Sequence, residues 1–150
     1  SPPAADVGVE VLKKGGNAVD AAVAVAFAMA VTWPEAGNIG GGGFMMIAPP
    51  GREPTCVEYR ETAPAAAGPD LFADGRHTAY SHTAAGVPGT VRGLALAHGK
   101  YGKLPWRDVV APAADLAEKG FTVTEGLAWS IGWVLASPTT TNGEFHRVYD

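Results

Sequence analysis

Four consecutive glycines, Gly40-Gly41-Gly42-Gly43, lead straight into the apolar run Phe44-Met45-Met46-Ile47. Over that stretch no side chain holds the backbone off, so a second backbone or a small ligand can approach closely. The run is not a phosphate loop. Counted from Gly40, a dinucleotide fingerprint needs glycine at its sixth position, where Met45 stands, and no Gly-Lys-Ser/Thr follows anywhere. Phe44 to Ala48 reads as a strand, Pro49 to Pro54 as a turn and Thr55 to Glu61 as a second strand, which together predict an antiparallel hairpin. Alternation puts Cys56, Glu58 and Arg60 on one face of the second strand and Val57, Tyr59 and Glu61 on the other. A two-stranded hairpin is not stable alone, so this one must pack on helices and borrow further strands from elsewhere.

Helices surround it. From Ala4 to Lys14 the apolar positions Ala5, Val9 and Leu12 recur at helical spacing, with Pro2-Pro3 suited to the start and Gly15-Gly16 to the stop. Asn17 then offers an N-cap, Asp20 suits the positive end of the helix dipole, and Val19, Ala22, Val23, Ala26, Phe27 and Ala30 mark one face of a second helix. Ala21, Ala24 and Ala28 make its other face small and apolar too, as in a helix packed inside a layer. Trp33-Pro34 ends it. Thr62 to Gly89 is rich in Ala, Pro and Gly with little periodicity, and an irregular segment of that length is often functional. Beyond it, Val91, Leu94, Ala95 and Leu96 predict a helix stopping near Gly99 or Gly102. Another runs from Pro105 to Gly120 with Pro112 kinking it or opening its second half, and Thr124 caps a last one from Glu125 towards Ala136. Helix pair, hairpin and further helices make an α+β arrangement.

With 150 residues, 47% of them hydrophobic and 17% charged, the chain can hold one domain with a real core. The net charge of −4 is spread out, with no Lys/Arg run longer than Lys13-Lys14, which argues against nucleic acid and anionic membranes as partners. The longest apolar stretch, Ala18 to Trp33, is broken by Asp20 and falls short of the roughly 20 residues that span a bilayer, so no membrane insertion is expected. Ser1-Pro2-Pro3 begins without a secretory signal, and Tyr149-Asp150 ends without a tail-like composition, as in an internal piece of a longer polypeptide.

Few side chains suit chemistry. His77, His82, His98 and His146 show no metal-ligand spacing, so neither metal nor cofactor is expected. Ser81-His82 lacks a nucleophile elbow. Cys56, the lone cysteine, excludes an internal disulfide, and its mid-strand place predicts a small buried hydrophobe rather than a catalytic thiol. Arg60 stands apart. At a strand end beside a glycine-lined region, its planar guanidinium suits a carboxylate, and an ion pair with Glu58, Glu61 or Asp70 is the competing use.

The segments Gly15-Gly16-Asn17-Ala18-Val19-Asp20-Ala21-Ala22, Pro34 to Phe44 and Tyr59-Arg60-Glu61-Thr62-Ala63-Pro64 closely resemble the large-subunit half of the γ-glutamyltranspeptidases, and the resemblance runs from about Val7 to Phe121. It implies the N-terminal part of a large subunit across residues 1–150, a piece of an N-terminal-nucleophile (Ntn) hydrolase αββα sandwich. It also implies γ-glutamyl transfer from glutathione-like donors to water or amino acids, through an acyl-enzyme on a threonine outside this chain. The implied partners are the γ-glutamyl substrate, the remainder of the large subunit and the small subunit of a heterodimer cut from one precursor; the implied compartment is periplasmic or extracellular. In that family the arginine of the Arg-Glu-x-Ala-Pro motif binds the α-carboxylate of the γ-glutamyl group, a role that falls on Arg60, with Glu61 positioning or structural. No catalytic residue is expected in this chain, because Thr139-Thr140-Thr141 lies in large-subunit context and Ser1 precedes a helix rather than a strand. A cephalosporin (glutaryl) acylase on the same scaffold and an inert module that only packs against a partner are the alternatives.

Overall fold

The computed structural model describes residues 1–73, 75, 81–137 and 147. His77, His146 and Thr139 to Gly143 lie outside them. The elements in order are α1 (Pro2–Lys13), α2 (Ala18–Thr32), β1 (Phe44–Ile47), β2 (Thr55–Glu58), α3 (Thr90–Tyr101), α4 (Trp106–Lys119) and α5 (Glu125–Leu135), with a short 3-10 turn at His82–Ala84. Local signals set most of these ends. Prolines open α1, and Gly15 adopts a left-handed φ of 89° just beyond it. Asn17 accepts the Val19 and Asp20 N–H groups while the Asp20 carboxylate accepts Asn17 N–H, a reciprocal cap on α2. Thr124 caps α5 by accepting Leu127 N–H at 3.3 Å. α4 runs through Pro112 as one helix, and α3 passes Gly99 to end at Gly102.

Helix α2 is the centre of the packing, touching α1, α4 and α3, while β2 lies against α3. The hairpin is antiparallel, with Phe44 opposite Glu58, Met45 opposite Val57, Met46 opposite Cys56 and Ile47 opposite Thr55. Ile47 and Val57 join the core formed by Val11, Val23, Phe27, Leu94 and Val109.

Two apolar stripes read from the sequence, on α1 and α3, point elsewhere, while that on α2 is buried through Val19, Val23 and Phe27. On α1 the buried positions are Ala4, Gly8 and Val11, whereas Val9 and Leu12 are exposed. The cause is closeness: a Cβ on Gly8 would come within 2.7 Å of Val25 Cγ2, so only small residues fit between α1 and α2. On α2 both alanine faces are used; Ala21, Ala24 and Ala28 are buried and Ala22 is exposed. On α3, Leu94 is buried but Val91 and Leu96 are exposed, because Thr90, Gly93 and Ala97 face inward beside it. Cys56 is also exposed rather than buried. Strand parity decides this, since Val57 next to it points into the core and a strand cannot bury both neighbours on one face.

Candidate functional site

The glycine run receives a backbone, as its composition predicts. Gly43 and Tyr59 continue the hairpin ladder past β2, with Tyr59 N–H donating to Gly43 C=O at 2.9 Å and Gly43 N–H to Tyr59 C=O at 3.4 Å. A Cβ on Gly42 would lie 2.6 Å from the Tyr59 carbonyl oxygen and 2.7 Å from the Glu61 nitrogen. The opposite side is equally tight. Gly89 and Gly93, at the head of α3, abut Tyr59, and a Cβ on Gly93 would overlap the Tyr59 side chain. The Tyr59-Arg60 backbone is thus clamped between two glycine surfaces. Left-handed angles play no part, since none of Gly40 to Gly43 has positive φ, and Gly40 has open space around it.

Asn38 pins the loop, a role that sequence reading missed. Its Oδ1 accepts Gly41 N–H at 2.6 Å and Thr90 Oγ–H at 3.3 Å, and its Nδ2 donates to Ala36 C=O. Gly41 C=O in turn accepts the Gly89 and Thr90 N–H groups, so the glycine run itself caps α3. Asn38 lies inside the motif quoted above, but only the fold reveals what it touches.

From this clamp Arg60 projects outward, its side chain 61% exposed. Its Nε lies 3.3 Å from Glu61 Oε2, so one of the ion pairs weighed from sequence is formed. That contact uses Nε and is largely solvated, where such pairs contribute about 0–1 kcal/mol, and no other ion pair engages Arg60 among the described residues. The outer edge of the guanidinium fork therefore stays available to a carboxylate. Arg60 borders two clefts. One runs along the irregular segment, between Glu61 and Phe72 on one side and Thr83 to Gly86 on the other; the second lies towards α3. An antiparallel bridge, Thr62 to Val87, ties off the base of the irregular segment beside Arg60. Burial raises the Tyr59 phenol above its usual range, with the nearby Cys56 adding to the shift.

No group of three His, Cys, Asp or Glu side chains able to hold a metal occurs among the described residues. His82 opens the 3-10 turn, and Ser81 Oγ lies 2.7 Å from Thr83 Oγ1. Ser1 Oγ–H donates to Thr32 Oγ1 at 2.6 Å. His98, a residue without assigned use in the sequence, belongs to a buried polar junction at Asp20. No helix among the described residues is long and apolar enough to cross a membrane.

Residues 4–146 match the family described as gamma-glutamyltranspeptidase. The glutathione hydrolase proenzyme of Escherichia coli is 52% identical over 131 residues, which cover 83% of this chain and 23% of that protein. The chain thus spans about a quarter of the length of such relatives. Among solved structures, the gamma-glutamyltranspeptidase of Pseudomonas nitroreducens complexed with L-DON superposes with a TM-score of 0.85 at 44% identity, covering 100% of this chain and 47% of that one. The cephalosporin acylase of Bacillus halodurans superposes with a TM-score of 0.80 at 32% identity, covering 85% and 24%.

Proposed function

Because the chain belongs to the γ-glutamyltranspeptidase family, we propose that residues 1–150 are the N-terminal segment of its large subunit and that Arg60 anchors the α-carboxylate of a γ-glutamyl donor. The fold is the α+β part of the Ntn-hydrolase αββα sandwich of these enzymes. The observation that carries the reading is the presentation of Arg60: a guanidinium with a free outer edge, on a backbone held from both sides by glycines. A carboxylate gripped there fixes one end of the substrate, so the γ-carbonyl, three carbons away along the side chain, is held at a defined reach from the nucleophile.

The nucleophile is a threonine elsewhere in the precursor. Its hydroxyl adds to the γ-carbonyl, the amine half of the donor departs with a proton, and the resulting ester is cleaved by water or by an acceptor amine. This chain contributes binding and orientation to that sequence and no catalytic group. Its partners are the γ-glutamyl substrate, the rest of the large subunit and the small subunit cut from the same precursor, in a periplasmic or extracellular setting. The acylase alternative has weaker support, with 32% identity against 52% for the glutathione hydrolase.

Arg60→Lys in the full-length precursor is the test. Lysine keeps the charge and loses the fork, so KM for γ-glutamyl-p-nitroanilide rises and kcat/KM falls about ten- to hundredfold, the equivalent of about 1.5–3 kcal/mol for a charge-assisted hydrogen bond. Self-cleavage proceeds. A donor lacking the α-carboxylate is nearly indifferent to the change; equal losses on both donors would mean that Arg60 serves the fold through Glu61.

A further inference from the structure

The second cleft beside Arg60 contains a cation that the reading above leaves unused. Arg92, on the first turn of α3, lines it together with Arg60, Glu58 and the apolar Pro88 and Leu96, around a volume of about 210 Å³. Arg92 is exposed and makes no ion pair among the described residues. Its lining carries two guanidinium groups and one carboxylate, that of Glu58, while the Glu61 carboxylate that meets Arg60 Nε lines the other cleft. The other cleft bordered by Arg60 holds Glu61 and, among the described residues, no second cation.

The relative placement of the two arginines is rigid. Arg92 lies between Gly89 and Gly93, the two glycines that abut Tyr59, while Arg60 directly follows Tyr59. Neither backbone can shift without opening this close packing. A pair of cations carried on two closely packed backbones beside one cleft suits a ligand with two carboxylates. γ-Glutamyl peptides are such ligands: one carboxylate belongs to the glutamyl end and the other to the far end of the amine half. The acceptor amine must enter where the leaving amine departs, so one anchor serves both.

We propose that Arg92 is a specificity residue that binds the carboxylate of the amine half of the substrate, whether leaving group or acceptor. The proposal rests on Arg60 as the α-carboxylate anchor. The matched probes are γ-glutamylglycine and γ-glutamylglycinamide, which differ only in the second carboxylate, used with the full-length matured enzyme. We expect wild type to prefer the acid about three- to fivefold in kcat/KM, Arg92→Gln to bring the ratio near one, and Arg92→Lys to keep part of it. Glycylglycine against glycylglycinamide as acceptors reads the acceptor side, and a changed ratio there alone assigns the carboxylate to the acceptor. An acid-to-amide ratio equal in wild type and Arg92→Gln on both sides overturns the proposal. If Arg92→Gln does not mature, the wild-type ratio decides: a preference that declines as salt is raised supports the anchor, and no preference overturns it. The Arg60→Lys comparison uses the other carboxylate, so the two readings fail separately.

Discussion

Replacing Asp20 with alanine is expected to destabilise the 150-residue chain by about 3 kcal/mol, seen as a fall of about 1–2 M in the urea midpoint of tryptophan fluorescence. Asp20 is 0% exposed and its carboxylate accepts three backbone N–H groups from two segments at once. It takes the Asn17 N–H at 2.8 Å, the Lys103 N–H at 3.0 and 3.1 Å, and the Leu104 N–H at 3.3 Å. Asn17 Nδ2 adds a bond to Tyr101 C=O, so the start of α2 is fastened to the link between α3 and α4. His98 Nε2 lies 3.2 Å from Asp20 Oδ1, off the hydrogen-bonding direction, with its ring edge-on to Trp106, which in turn meets Phe27. Alanine would strand those backbone donors at a partly buried junction, and each orphaned group costs about 1–3 kcal/mol. Asp20→Asn should cost less, since one acceptor oxygen survives. Lys103→Ala is the control: only its backbone N–H takes part, so a loss comparable to that of Asp20→Ala would place the energy in general packing of the link rather than in the carboxylate.

The glycines around Tyr59 and Arg60 should divide sharply. Gly93→Ala gains about 1 kcal/mol in helix propensity, but the added Cβ would overlap the Tyr59 side chain, and relief requires moving α3 or β2 at an overpacking cost of about 1–3 kcal/mol or more. Gly42→Val meets the Tyr59 carbonyl and Glu61 nitrogen, which as backbone cannot rotate away. Both variants should lower the yield of self-cleaved precursor at 37 °C. Gly40→Val meets open space and should mature normally. A Gly42→Val precursor that matures like Gly40→Val would mean that the clamp yields, and the rigid placement of Arg60 would go with it. This refines what the glycine run suggests by itself, which is a need for glycine at all four positions.

Elements governed by neighbours in the chain were legible. The caps at Asn17 and Thr124 depend on hydrogen bonds within three residues, the start of α1 on the fixed φ of its prolines, and the hairpin on strands joined by one short turn, so the sequence displays both partners. Arg60 was singled out for another reason, the family resemblance its motif carries; that its face of the strand, shared with Cys56 and Glu58, points outward came from the structure. The stripes on α1 and α3 were not legible, because hydrophobicity says which residues gain from burial but not how near the partner helix stands. Once Gly8 touches Val25 and Gly93 touches Tyr59, small residues own the interface and Val9, Leu12, Val91 and Leu96 are left outside.

From the sequence alone came the family, the α+β order of elements and the hairpin. Only the tertiary structure could show that Asp20 is a junction, that Asn38 pins the glycine loop, that Arg92 shares a cleft with Arg60 and that a Cβ has room at Gly40 but not at Gly42. The physical reason is the same in each case. Asp20 and Lys103 are joined across 83 positions, and Thr90 and Asn38 across 52; contacts at such separations depend on where chain closure brings two segments together, which no local pattern of residues records.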